Sequence, residues 1–144
     1  MTRQPSHFAS STEAEAGFYL ALERGDLDAM LDVWAEDEEI VCIHPGGPRI
    51  AGAADVFESW RQIFAGGGRI ALRRSHLSIT RGPMFAIHSL YEHIPSGPGE
   101  SYPPIAVTNI YVRGALGWRM LVHHASPTPE RLTSLGDESG RQLH

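Results

Sequence analysis

The sequence predicts an α+β fold, in which helices gathered in the first half pack on a mainly antiparallel sheet built from the second half. Three observations lead there. Apolar residues recur at helical spacing in three segments before residue 66. Four later segments are rich in β-branched and aromatic residues, and clusters of Gly, Pro or Ser separate them.

Ser11, Thr12 and Glu15 precede Phe18, Leu20 and Leu22, which predicts a helix capped near Ser11 and closed at Gly25. Phe18 and Leu22, four apart, share its apolar face. Asp26 then caps a second helix, where Leu27, Met30, Leu31 and Trp34 keep helical spacing and the acids at Asp26 and Asp28 suit the positive end. Glu39 to His44 is a short apolar run stopped by Pro45, Gly46, Gly47 and Pro48, hence a strand and a tight turn. Arg49 to Ala51 reads as a short return strand. Ala54, Val56, Phe57, Trp60, Ile63 and Phe64 form a third helical pattern, which Gly66, Gly67 and Gly68 end. Ile70 to Thr80, Met84 to Ile94, Ile105 to Arg113 and Trp118 to Ser126 complete the chain as a meander of four strands. Residues 1–10 are expected to be a flexible segment, 11–127 the domain, and 128–144 a tail that is either mobile or crosses a partner subunit.

With 144 residues the chain suits one domain with a real core. Hydrophobic residues at 42% and charged residues at 20% match globular usage, which disfavours disorder and membrane spanning. The amino terminus carries no apolar core of the secretory kind, so a cytoplasmic location is expected. Cys42 is the only cysteine, so neither an internal disulfide nor a cysteine-rich zinc site can form. All twelve basic residues are arginines, and a formal net charge of -5 argues against nucleic-acid binding. No membrane association is expected.

Two helices, a strand ending in a His-Pro turn, a third helix and four long strands resemble the NTF2-like superfamily. The residues carrying the likeness are Tyr19, Gly25-Asp26-Leu27-Asp28, Trp34, His44-Pro45-Gly46-Gly47, Gly52, Trp60 and the closing run from Gly117 to Pro127. The chain is similar to small SnoaL-like proteins and to the association domain of calcium/calmodulin-dependent protein kinase II, the latter through the spacing of Trp118, His124 and Ser126. The resemblance implies a cone-shaped sheet wrapped against three helices around an internal pocket, and it implies oligomerisation. It does not imply phosphotransfer, since a chain without lysine lacks the kinase Lys.

Fold alone does not select an activity in this superfamily. In the ketosteroid isomerase pattern a general-base Asp stands before the Pro that ends the first strand, and His44 occupies that position here. The same pattern places a Tyr on the first helix and a protonated Asp on the penultimate strand. Phe18 and Thr108 stand there instead, and Tyr19 lies about 100° round the helix, so steroid isomerisation by that route is disfavoured.

Six of eight histidines fall on predicted strands: His44, His76, His88, His93, His123 and His124. His123 and His124 are adjacent and point to opposite faces, and no zinc-helix or calcium-loop spacing occurs. No metal and no cofactor are therefore expected. If the last three strands pair through short hairpins without a bulge, one face carries Tyr91, Val107, Asn109, Tyr111, Leu121 and His123, and the pocket is expected there. His44 is the expected catalytic base, an imidazole able to take a proton near neutral pH. Trp60, Tyr91, Asn109 and His123 are the expected ligand-binding residues. The expected function is a homodimer binding a small, largely apolar ligand, with isomerase, cyclase or dehydratase/hydratase chemistry if it is an enzyme. The alternative is a non-catalytic association module acting through the outer sheet face.

Overall fold

Helix α1 (Ser11–Arg24) starts where the Ser10 hydroxyl accepts a hydrogen bond from the Glu13 N–H at 3.1 Å, one residue before the expected cap. It ends where Gly25 adopts φ 63° and returns its N–H to the Ala21 and Leu22 carbonyls. Asp26 caps α2 (Leu27–Val33) through Ala29 N–H at 3.0 Å. Strands β1 (Val41–Ile43) and β2 (Arg49–Ala51) follow, then α3 (Ala53–Ala65), β3 (Arg73–Arg81), β4 (Phe85–His93), β5 (Ile105–Gly114) and β6 (Gly117–Pro127). This computed structural model describes residues 6–36 and 38–129. The tail expected from Thr128 onward lies outside the described residues beyond residue 129.

The six strands form one sheet in the order β2-β1-β6-β5-β4-β3. Only β1 and β6 run parallel; the other pairs are antiparallel, as the α+β reading expects. β3 begins at Arg73 rather than Ile70, because its partner β4 ends at His93, opposite Arg73. The core lies between the helices and one sheet face, where Phe18, Met30, Trp34, Ile40, Val56, Trp60, Leu90, Tyr111 and Met120 are buried. Among the described residues no helix is long and apolar enough to cross a membrane.

Residues 6–10 lie against this domain. Trp118 N–H donates to the Phe8 carbonyl at 2.9 Å, and Ser6 N–H donates to Asp32 Oδ2 at 2.8 Å.

Two bulges interrupt the ladders. In β3 the pairing passes from His76↔Leu90 to Ser78↔Ser89, leaving Leu77 as the extra residue, 57% exposed. In β6 it passes from Ile110↔Val122 to Tyr111↔Met120, leaving Leu121 extra. An extra residue exchanges the faces of the strand beyond it.

Gly117, at the two-residue turn joining β5 to β6, has φ 92°, and an added Cβ would stand 2.6 Å from the Phe8 carbonyl oxygen. Gly117→Ala is expected to lower stability by about 1–3 kcal/mol, read from chemical denaturation. Gly114→Ala, with open space around the added methyl, should leave the midpoint nearly unchanged; equal effects would contradict the account.

Candidate functional site

Four side chains from four elements form a buried polar line through the cone. Asn109 on β5 faces His123 on β6 in the ladder, and His123 Nδ1 donates to Asn109 Oδ1 at 2.6 Å. Asn109 Nδ2 donates to the Tyr19 hydroxyl at 3.2 Å, and that hydroxyl donates to Glu92 Oε2 at 2.7 Å. The amide of Asn109 fixes the direction, because its oxygen can only accept and its nitrogen only donate. His123 therefore holds its proton on Nδ1, leaving Nε2 with a lone pair.

The sequence produces this line by simple geometry. Glu15, Phe18, Tyr19 and Leu22 are spaced i, i+3, i+4 and i+7 and make one buried stripe of α1. Tyr19, about 100° round the helix from Phe18, lies at the edge of that stripe. Both rings enter the core, edge to face at 4.9 Å.

Electrostatics follow burial. Glu92 is 4% exposed, and loss of water pushes its carboxyl up to about 7, against the pull of the Tyr19 hydrogen bond and of Arg74. Burial drives His123 down to about 3, with His44 and His124 adding repulsion, so the ring stays neutral. Tyr19 is raised, by burial first and then by Glu92.

At the end of β1, Pro45 stops the strand just after His44, and His44 follows the inward alternation of buried Cys42. The Ser59 hydroxyl donates to the Val56 carbonyl at 2.7 Å and so accepts from His44 Nε2 at 3.1 Å. That leaves Nδ1 of His44 unprotonated. Burial lowers the pKa of His44, which is half-buried and neutral near pH 7. Burial also pushes the neighbouring Cys42 thiol up to about 12, which disfavours a thiolate-imidazole pair. Trp60 on α3 stands edge-on to His44 at 4.8 Å and 6.3 Å from His123. Its Nε1 is buried with no hydrogen-bond partner among the described residues.

Of the expected site residues, His44, Trp60, Asn109 and His123 converge. Tyr91 does not join them. Unbulged short hairpins would set it opposite Val107, but it pairs with Ala106 while Leu90 pairs with Val107. β4 thus turns His88, Leu90 and Glu92 inward, and Tyr91 lies on the outer face near Thr108, His124 and Ser126. The β6 bulge likewise turns Met120 inward where Leu121 was expected.

Sequence reasoning missed Tyr19, Glu92 and a second cluster of Glu15, His76 and His88. The buried-stripe spacing of α1 was the available signal for the first; the others depend on register. Around His123 the cone is filled, by Phe18 at 4.7 Å and by Trp60 at 6.3 Å. A separate groove of about 870 Å³, lined by Leu31, Phe57, Leu116 and Leu121 among others, contains none of these polar residues.

The model of the SnoaL-like domain matches residues 13–130. A solved structure from Thiobacillus denitrificans, provisionally named a calcium/calmodulin-dependent protein kinase type II association domain, is 38% identical; the match covers 86% of this chain and 99% of that one, with a TM-score of 0.79. A provisionally named dehydratase of the NTF2-like family from Streptomyces avermitilis is 28% identical over 81% of this chain and 91% of that one, with a TM-score of 0.71. A cystatin-like protein of unknown function from Nostoc punctiforme, 14% identical over 85% of this chain and 91% of that one, has a TM-score of 0.67 and shares the fold. No curated protein matches.

The buried carboxyl sets a pH prediction. Glu92 is raised from an ordinary 4.5 to about 7 in the folded chain. Its contribution is fully present below 4.5 and is lost as pH rises through 7. His123, lowered from 6.5 to about 3, acts oppositely; its contribution is present above 6.5 and lost as pH falls toward 3. Relative to wild type, Glu92→Gln should gain stability between about pH 5 and pH 8, by on the order of 3 kcal/mol at most. Thermal melts across that range check it, and a constant difference would rule out the raised carboxyl.

Proposed function

We propose, from the premise that the chain belongs to the SnoaL-like domain family, that it is a homodimer binding a small, largely apolar molecule beside His44, with His44 as general base. The observation that carries this reading is the pairing of His44, whose Nδ1 is held free of a proton by Ser59, with the unpartnered indole N–H of Trp60. A buried donor without a partner costs free energy unless a ligand atom or water meets it. A base and a donor on adjoining rings suit a carbonyl compound, whose oxygen accepts from the indole while Nδ1 removes a neighbouring proton. Such a step needs no cofactor and opens isomerisation, cyclisation and dehydration alike. The dehydratase name carried by the Streptomyces avermitilis neighbour agrees with that class.

NMR can test this with cyclohexanone as the probe. The Trp60 indole cross-peak, assigned through Trp60→Phe, should shift on titration, and the protein should catalyse exchange of the ketone's α-protons with deuterated water. His44→Ala should reduce that exchange by about 100-fold or more. Undiminished exchange in His44→Ala would remove His44 from the mechanism, and an unmoved indole peak would remove Trp60 from binding.

Self-association is supported by the outer sheet face, where Leu77 is 57% and Phe85 44% exposed beside partly buried Ile87, Tyr91, Ile110 and Val122. The same face supports the second reading, a non-catalytic association module, which the name of the Thiobacillus denitrificans structure favours. Sedimentation should give a dimer at micromolar concentration and a shift toward monomer in Leu77→Glu. A wild-type monomer would remove both dimeric readings.

A further inference from the structure

Outside the His44 region, three residues distant in sequence meet at the far side of the cone. Glu15 comes from α1, His76 from β3 and His88 from β4, and one ligand atom of each lies within 4.8 Å of the other two. His76 Nε2 is 2.6 Å from Glu15 Oε2, and His88 Nδ1 is 3.3 Å from the same oxygen. We propose that Glu15, His76 and His88 form a binding site for a divalent transition-metal ion of the Zn²⁺ class.

The donor set is the first argument. Two imidazoles and one carboxylate are borderline ligands suited to Zn²⁺, and three protein ligands leave a position open for water. Bonds of about 2.0–2.2 Å in a tetrahedral site set two ligand atoms roughly 3.4 Å apart. The observed spacings, from 2.6 Å up to 4.8 Å, therefore need side-chain adjustments of about 1 Å on binding.

Unspent bonding capacity is the second. Glu15 is 1% exposed, and its Oε1 has no hydrogen-bond partner among the described residues; His88 is fully buried, and its Nδ1 makes no hydrogen bond of good geometry. Buried polar atoms left this way need an explanation. A cation between them would use both.

The surroundings are the third. His88 Nε2 lies 2.8 Å from the Ser11 hydroxyl, which can accept its proton. In the tautomer that donates to Ser11, Nδ1 carries a lone pair turned to the carboxylate, the arrangement outer-shell partners give metal-bound histidines. His76, 38% exposed at its side chain, gives an entry path. Arg74 opposes a cation, its guanidinium being 3.7 Å from Glu15 Oε2. It also stacks on the Tyr19 ring at 4.6 Å and faces Glu92, so its charge is shared between two carboxyl groups.

The test uses the untagged full chain, stripped with chelator and titrated with Zn²⁺ by calorimetry and with Co²⁺ by visible absorption. One ion per chain is expected, with histidine ring nitrogens of His76 and His88 shifting in NMR spectra. His76→Ala, at a half-open position that tolerates truncation, should weaken binding by at least the roughly 100-fold that loss of an outer-shell partner can cost, and Ser11→Ala by about 10- to 100-fold. Glu15→Gln should abolish binding, with circular dichroism confirming that each variant folds. His124→Gln, on the opposite face, should change nothing. Absence of binding in wild type, or binding undiminished in His76→Ala, would overturn the site.

Discussion

Two extra residues, Leu77 in β3 and Leu121 in β6, decide what meets what inside this cone. Had the pairing of Tyr111 with Met120 continued along the strands, Asn109 would face Val122. The bulge at Leu121 puts His123 there instead, and the hydrogen bond from His123 to Asn109 depends on it. The bulge at Leu77 does the same on the other side, pairing His76 with inward-facing Leu90 so that its ring meets Glu15. Strand alternation makes each inserted residue a switch between core and solvent.

From that placement follows an interior richer in charge chemistry than a hydrophobic core requires. Glu15, His88, Glu92, Asn109 and His123 are all buried, and each is held by partners on other elements. Burial raises the Glu92 carboxyl and lowers the His123 imidazole, so both sit nearer their neutral forms than in water. Around them pack the rings of Phe18, Trp34 and Trp60.

The outer face has the opposite character. Among the described residues it is uncovered and carries exposed or partly buried Leu77, Phe85, Ile87, Tyr91, Ile110 and Val122, while helices pack on the inner face. One sheet thus separates an outer face with exposed apolar side chains from an interior holding buried polar groups, and each bulge bears on both. Leu77 is pushed outward by the same irregularity that turns His76 inward.

Much of the fold was legible in the residues themselves. The first helix cap, to within one residue, the cap at Asp26, the stop at Gly25, the Pro45 strand end and the strand patterns are local, and local sterics and hydrogen bonding dictate them. His44 at a strand end was legible for the same reason. The meeting of Tyr19 with Glu92, the outward turn of Tyr91 and the Glu15, His76 and His88 cluster were not. The loop from residue 94 to residue 104, too long to impose a register as a tight turn would, leaves the β4–β5 alignment to packing. The sequence by itself determined which elements form and where they stop. Only the tertiary structure decided which side chains meet, because register and bulges are settled by contacts between residues far apart in the chain.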